Sequence, residues 1–126
     1  MKASPFVVAV LLALGCKSDH TNPDPPQVES IAAPEFDTTS PPELVRLDNG
    51  RRVVRGCIRN VSGRDLQDVV TAFMIHYHGV ANGPATVAAA TPEILNGAEW
   101  CYETGSEPRP PIIVFLIEQI ELTFSD

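Results

Sequence analysis

The chain has 126 residues, a formal charge of −7, 44% hydrophobic residues and three cysteines. That length provides for one domain of modest size. Its acidity argues against a nucleic-acid partner, because such binding rests on a basic footprint.

The N-terminus reads Met1-Lys2, then nine uninterrupted apolar residues from Phe6 to Leu14, then Gly15-Cys16. A short positive start, an apolar core and a small residue before a cut describe a secretory signal. The run is too short to cross a hydrocarbon layer, which needs about 20 residues. Leu12-Ala13-Leu14-Gly15-Cys16 resembles the lipobox of bacterial lipoproteins, with Ala13 where leucine is more usual. The resemblance implies a signal peptide over 1–15, cleavage before Cys16, and a covalent lipid on its thiol. No other cofactor is expected. The alternative is a plain secretory signal. Cleavage removes Lys2 and takes the formal charge from −7 to −8, so membrane contact rests on acyl chains and not on a polybasic patch. Lys17 stands where an aspartate would signal inner-membrane retention in such proteins. The resemblance therefore implies a bacterial envelope protein, lipid-anchored at the outer membrane and facing the periplasm.

Residues 17–42 contain six prolines, and only Val28, Ile31 and Phe36 are large and apolar. Such a segment buries too little surface to offset the entropy of ordering. Residues 16–42 are accordingly expected to be a disordered linker, reaching roughly 25–30 Å as a coil. The remaining residues, 43–126, form the domain.

From Glu43 onward, short β-rich runs alternate with turn signals, the pattern of an all-β antiparallel sandwich. A strand over 44–47 leads to Asp48-Asn49-Gly50, where Asn-Gly predicts a type I′ turn. Further strands are expected over 51–60, 66–78, 85–91, 98–103 and 112–124, with turns at Ser62-Gly63 and Asn96-Gly97 and a Pro-rich loop over 105–111. In the last strand, residues 112–117 are apolar on both faces. This predicts a central strand whose outer side is covered by the linker or a partner, or else a docking edge for another strand. The aromatics Phe73, Tyr77, Trp100, Tyr102, Phe115 and Phe124 fit inward positions.

Beyond Cys16 the cysteines form a pair, Cys57 and Cys101, which an oxidising compartment would join. Alternation sets Arg55, Cys57 and Arg59 on one face of their strand, and Glu99, Cys101 and Glu103 on one face of theirs. Placing the two cysteines opposite each other antiparallel sets Arg55 against Glu103 and Arg59 against Glu99. Two opposite-charge pairs then flank a solvent-facing bridge. The rival geometry is a bridge through the core between sheets, as in antibody domains; unpaired thiols or a metal site are further alternatives.

Gly56, Asn60, Ser62, Gly63, then Leu66, Val69, Thr71 and Phe73-Met74-Ile75, and later Leu95-Asn96-Gly97, resemble the bacterial FxLYD domain. His76 and Tyr77 stand where that signature has Tyr and Asp. The resemblance covers roughly 53–102. It implies a small immunoglobulin-like sandwich with an envelope-associated binding role and no catalytic residues.

Met74, His76 and His78 alternate onto one face, and two imidazoles beside a thioether could ligate copper. The alternative is a half-exposed strand near a hairpin. Arg46, Arg51, Arg52, Arg55, Arg59 and Arg64 form the one basic concentration, suited to an acidic partner or to local pairing. Asn60-Val61-Ser62 matches a glycosylation acceptor, read as coincidence in a bacterial protein. No nucleophile elbow, phosphate-cradling glycine loop or catalytic triad is evident. The expectation is a non-catalytic, lipid-anchored binding or assembly module with an envelope protein as partner, the alternative being a copper-binding lipoprotein.

Overall fold

The computed structural model describes residues 25–79, 83–107 and 113–126. The signal segment and Cys16 lie outside the described residues. Seven strands are present: β1 (Gln27–Glu29), β2 (Phe36–Arg46), β3 (Arg52–Asn60), β4 (Leu66–Tyr77), β5 (Ala85–Ile94), β6 (Glu99–Glu103) and β7 (Val114–Ser125). They form two sheets, ordered β1-β7-β4-β5 and β2-β3-β6. The chain changes sheet between β1 and β2, between β3 and β4, between β5 and β6 and between β6 and β7, giving a small all-β sandwich. All pairings are antiparallel except β1 with β7, which is parallel.

The core lies where the two sheets face each other. On β4, Leu66, Val69, Phe73 and Ile75 are fully buried, and so are Val54 of β3 and Ile117 of β7. The period of two in these strands puts every second side chain inside. Asp68 interrupts β4 with a positive φ of 49°, a conformation short polar side chains tolerate, and the β7 register shifts there between Gln67 and Val70.

Three expectations are corrected. The region expected to be disordered up to residue 42 contains β1 and the first part of β2, so the sandwich begins well before Glu43. Long-range pairing with β7 and β3 supplies the order that local composition cannot. Pro41 and Pro42 are accommodated because β2 is an edge strand with register shifts between Thr38 and Ser40 and between Ser40 and Glu43. Second, the Asn49-Gly50 turn is not type I′, since only Gly50 has positive φ, at 86°. Gly50 N–H donates to Leu47 O at 2.9 Å and Leu47 N–H to Arg51 O at 2.7 Å, the pattern of a three-residue hairpin loop with glycine in the left-handed position. Third, Phe115 points outward and is 43% exposed. The register between β4 and β7 shifts between His76 and Tyr77, skipping Phe115. Phe73, Tyr77 and Tyr102 are buried, and Trp100 and Phe124 pack against the core from its margin.

β7 is an internal strand between β4 and β1. The segment expected to be a free linker thus pairs with it at Leu116, Ile117 and Glu118.

Candidate functional site

On the outer face of the three-stranded sheet, Cys57 and Cys101 are joined by a disulfide across directly paired strands. Asn60 N–H bonds Ala98 O and Thr104 N–H bonds Val54 O. The cysteine pair falls at the alternate, non-hydrogen-bonded positions, where opposed residues approach most closely. Its Cα atoms are 4.0 Å apart. Cys57 is half-buried and Cys101 exposed, so the bridge lies on solvent and not in the core.

The same register sets Arg55 opposite Glu103 and Arg59 opposite Glu99. Arg55 Nε lies 2.8 Å from Glu103 Oε1. Arg59 and Glu99 share the register but not a contact. Arg59 Nη1 donates to Gly97 O at 2.8 Å, while Glu99 accepts from the Thr39 hydroxyl of β2. An arginine long enough to reach a turn carbonyl has no need of its cross-strand carboxylate. Among the described residues, Cys57, Glu99 and Cys101 are the only histidine, cysteine or acidic residues whose ligand atoms gather in a threesome within 4.8 Å. Both sulfurs are tied up in the bridge.

Met74 and His76 lie on the outward face of β4, alternating with the buried Phe73, Ile75 and Tyr77, and His78 follows, exposed, just past the end of the strand. His76 Nε2 is 3.0 Å from Glu118 Oε1 on β7. The Phe115 ring sits against both imidazoles, with centroids 5.9 Å from His76 and 4.8 Å from His78. The ligand atoms of His76, His78 and Glu118 do not converge within 4.8 Å of one another.

The arginines are dispersed. Arg46 Nη1 donates to Gly50 O at 3.2 Å, Arg51 Nη1 to Ser106 Oγ at 3.4 Å, and Arg64 Nε lies 2.6 Å from Asp126 Oδ1. Arg46, Arg51, Arg52 and Arg55 all belong to the β2–β3 hairpin, but Arg46 and Arg51 bond the oxygens of Gly50 and Ser106, and Arg52 and Arg55 pair with Glu107 and Glu103.

The least legible cluster is buried at the end of the sandwich that carries the β2–β3 hairpin. Glu107 is 1% exposed. Its carboxylate receives the Arg52 guanidinium from β3 and the Tyr77 hydroxyl from β4. Glu107 N–H also donates to Arg52 O at 2.9 Å. One loop carboxylate thereby ties both sheets together. A glutamate in a Pro-rich loop carries no local sign of burial, and Arg52 belongs to a run that reads as solvated.

At the opposite end Asn60 is fully buried. Its Nδ2 donates to Arg64 O at 2.7 Å and Ile94 O at 2.9 Å, and its Oδ1 accepts from Ser62 N–H at 2.9 Å. This side chain closes the β3–β4 turn onto the end of β5 and is no acceptor for a glycan in the folded chain. Tyr102 is buried beside Gly56, where an added Cβ would stand 2.4 Å from the Tyr102 hydroxyl oxygen. Burial pushes the Tyr102 phenol up to about 12 from 10.0.

Between the sheets a cavity of about 20 Å³, bordered by Ile31, Phe36, Ile58, Tyr102 and Leu122, is far below the several hundred Å³ that small-molecule sites occupy. Comparison with protein-family models, with curated proteins and with solved structures finds no match to this chain.

Proposed function

We propose that the chain is a lipid-anchored bacterial envelope protein whose immunoglobulin-like sandwich works as a non-catalytic binding or assembly module. The observation that carries this reading is the apolar run ending at Gly15-Cys16. The disulfide between Cys57 and Cys101 fits the same address, because such bridges persist where the compartment is oxidising.

β1 shortens the spacer. Residues 17–26 separate Cys16 from the first strand, and a coil of that length reaches roughly 16–19 Å. The module therefore works close to the bilayer. β1 enters beside Leu116, at the end of the sandwich where Tyr77 pairs with Val114. The opposite end carries Val61 and Leu95, which are 43% and 53% exposed, and faces away from the membrane. That end is where an envelope partner would meet the module.

The test is fractionation of bacteria expressing the full chain or its Cys16→Ser variant. The parent chain should partition with membranes and take up a fatty-acid label, and the variant should do neither. Equal recovery of both in the cytoplasm would overturn the reading. Crosslinking in intact cells then identifies the partner.

A further inference from the structure

Charge and apolar surface are spread unevenly along the length of the sandwich. The end where β1 begins also carries the β2–β3 hairpin loop, the end of β4 and the start of β7. Hydrogen bonds link these pieces: Arg51 Nη1 donates to Ser106 Oγ at 3.4 Å, Glu107 accepts from the Tyr77 hydroxyl, and His78 N–H donates to Ile113 O at 3.1 Å. Ile113 and Phe115 are 55% and 43% exposed there. Arg46 and Arg51 are exposed as well. Each donates to an uncharged oxygen, and among the described residues neither is in an ion pair. The loop between them holds one carboxylate, Asp48. The opposite end carries Glu35, Asp37, Asp65, Asp68, Glu93 and Asp126 against Arg59 and Arg64. A chain of net charge −7 thus gathers acid at the end away from β1.

We infer that the end where β1 begins rests directly on the bilayer, with Ile113 and Phe115 entering the boundary between headgroups and acyl chains and Arg46 and Arg51 on the phosphates of anionic phospholipids. This rests on the lipid anchor proposed above and adds to it a contact made by the folded module itself. The tether selects a lipid surface as the occupant. A coil of residues 17–26 reaches roughly 16–19 Å, whereas the 12 residues of β4 span about 40 Å. The end that β1 enters is therefore held near the headgroups while the acidic end stands off. Exposed aliphatic and aromatic side chains beside arginines are also what seats a peripheral surface in the interface. Charge acts in the same sense, because an anionic surface attracts the arginine end and repels the acidic one. Two arginines are too few to hold a protein on a membrane. They have only to orient one that acyl chains already hold.

The experiment reconstitutes the protein, extracted from bacterial membranes, into vesicles with brominated acyl chains and reads tryptophan quenching. Ile113→Trp and Phe115→Trp report on the proposed contact, and Leu95→Trp reports on the opposite end. All three positions are exposed, and two reporters at the contact guard against one of them failing to fold. Trp100 is the chain's one native tryptophan, and its signal is subtracted with the parent. In vesicles of phosphatidylglycerol and phosphatidylethanolamine, the emission added at 113 and 115 should be quenched several-fold more than that added at 95. Combining either reporter with Arg46→Glu and Arg51→Glu should reduce the quenching several-fold, as should vesicles of phosphatidylcholine alone. A chain that floats with the vesicles while 113 and 115 are quenched no more than 95 overturns the inference and leaves the anchor standing. Quenching indifferent to the arginine reversals also overturns it. A chain that does not float with the vesicles overturns the anchor reading, and this inference with it.

Discussion

The Glu107 carboxylate and the Arg52 guanidinium form a buried ion pair between a loop and the first core strand, at side-chain exposures of 1% and 9%. Removing one partner from such a pair leaves a charge without compensation, which costs about 3–5 kcal/mol. Glu107→Gln should lower unfolding free energy in urea by that amount. Replacing both residues with methionine should recover most of it, because the desolvation cost of the pair is then gone as well. A Glu107→Gln loss below about 1 kcal/mol would show that the pair does not anchor the loop.

The cross-strand disulfide sits outside the core, so its contribution is to the unfolded chain. It closes a loop with a sequence separation of 44, for which the chain-entropy estimate is about 4 kcal/mol. A Cys57→Ser, Cys101→Ser variant should keep its β-sheet circular dichroism and lose roughly that stability. Unchanged stability would remove the bridge from the account of the fold. Collapse of the structure would mean that the sheet register depends on it.

Asn60 satisfies two carbonyls and one amide that would otherwise be buried without partners. Asn60→Ala should cost about 2–4 kcal/mol, since each orphaned buried group carries about 1–3 kcal/mol of desolvation. Amide hydrogen exchange at Ser62 should accelerate in the same variant. Wild-type protection there would contradict the assignment.

Tyr102 gives the fold a high-pH limit. The phenol ionises near 10.0 when unfolded and is pushed up to about 12 by burial in the fold. Between those values the unfolded chain has released a proton that the native chain retains, so stability falls as pH rises. The contribution is fully present below pH 10.0 and lost by about pH 12. The unfolding midpoint of the parent should drop across that window more steeply than that of Tyr102→Phe. Parallel profiles would contradict the burial argument.

The cysteine register was legible because alternation is local. Once Arg55, Cys57 and Arg59 share a face, and Glu99, Cys101 and Glu103 share another, one pairing sets every charge against its opposite. The turns announced themselves through Gly50 in the β2–β3 hairpin and through Gly63 and Gly97 where the chain crosses between sheets, all at positive φ. What failed was whatever depended on distant partners. Gln27 to Glu29 looks like linker because three residues carry no pattern, yet β7 offers them a ladder. Arg59 reaches a turn carbonyl whose position no pairing rule supplies. Glu107, Arg52 and Tyr77 come from three separate elements, and only the closed sandwich brings them together. Phe115 was misplaced because a single shift in register turns an inward residue outward.

The most direct measurement is the intact mass of the protein extracted from bacterial membranes. A chain beginning at Cys16, acylated there and two hydrogens lighter for the Cys57–Cys101 bridge, is the predicted result. An unprocessed polypeptide still carrying residues 1–15, without lipid and with all its thiols free, would contradict it.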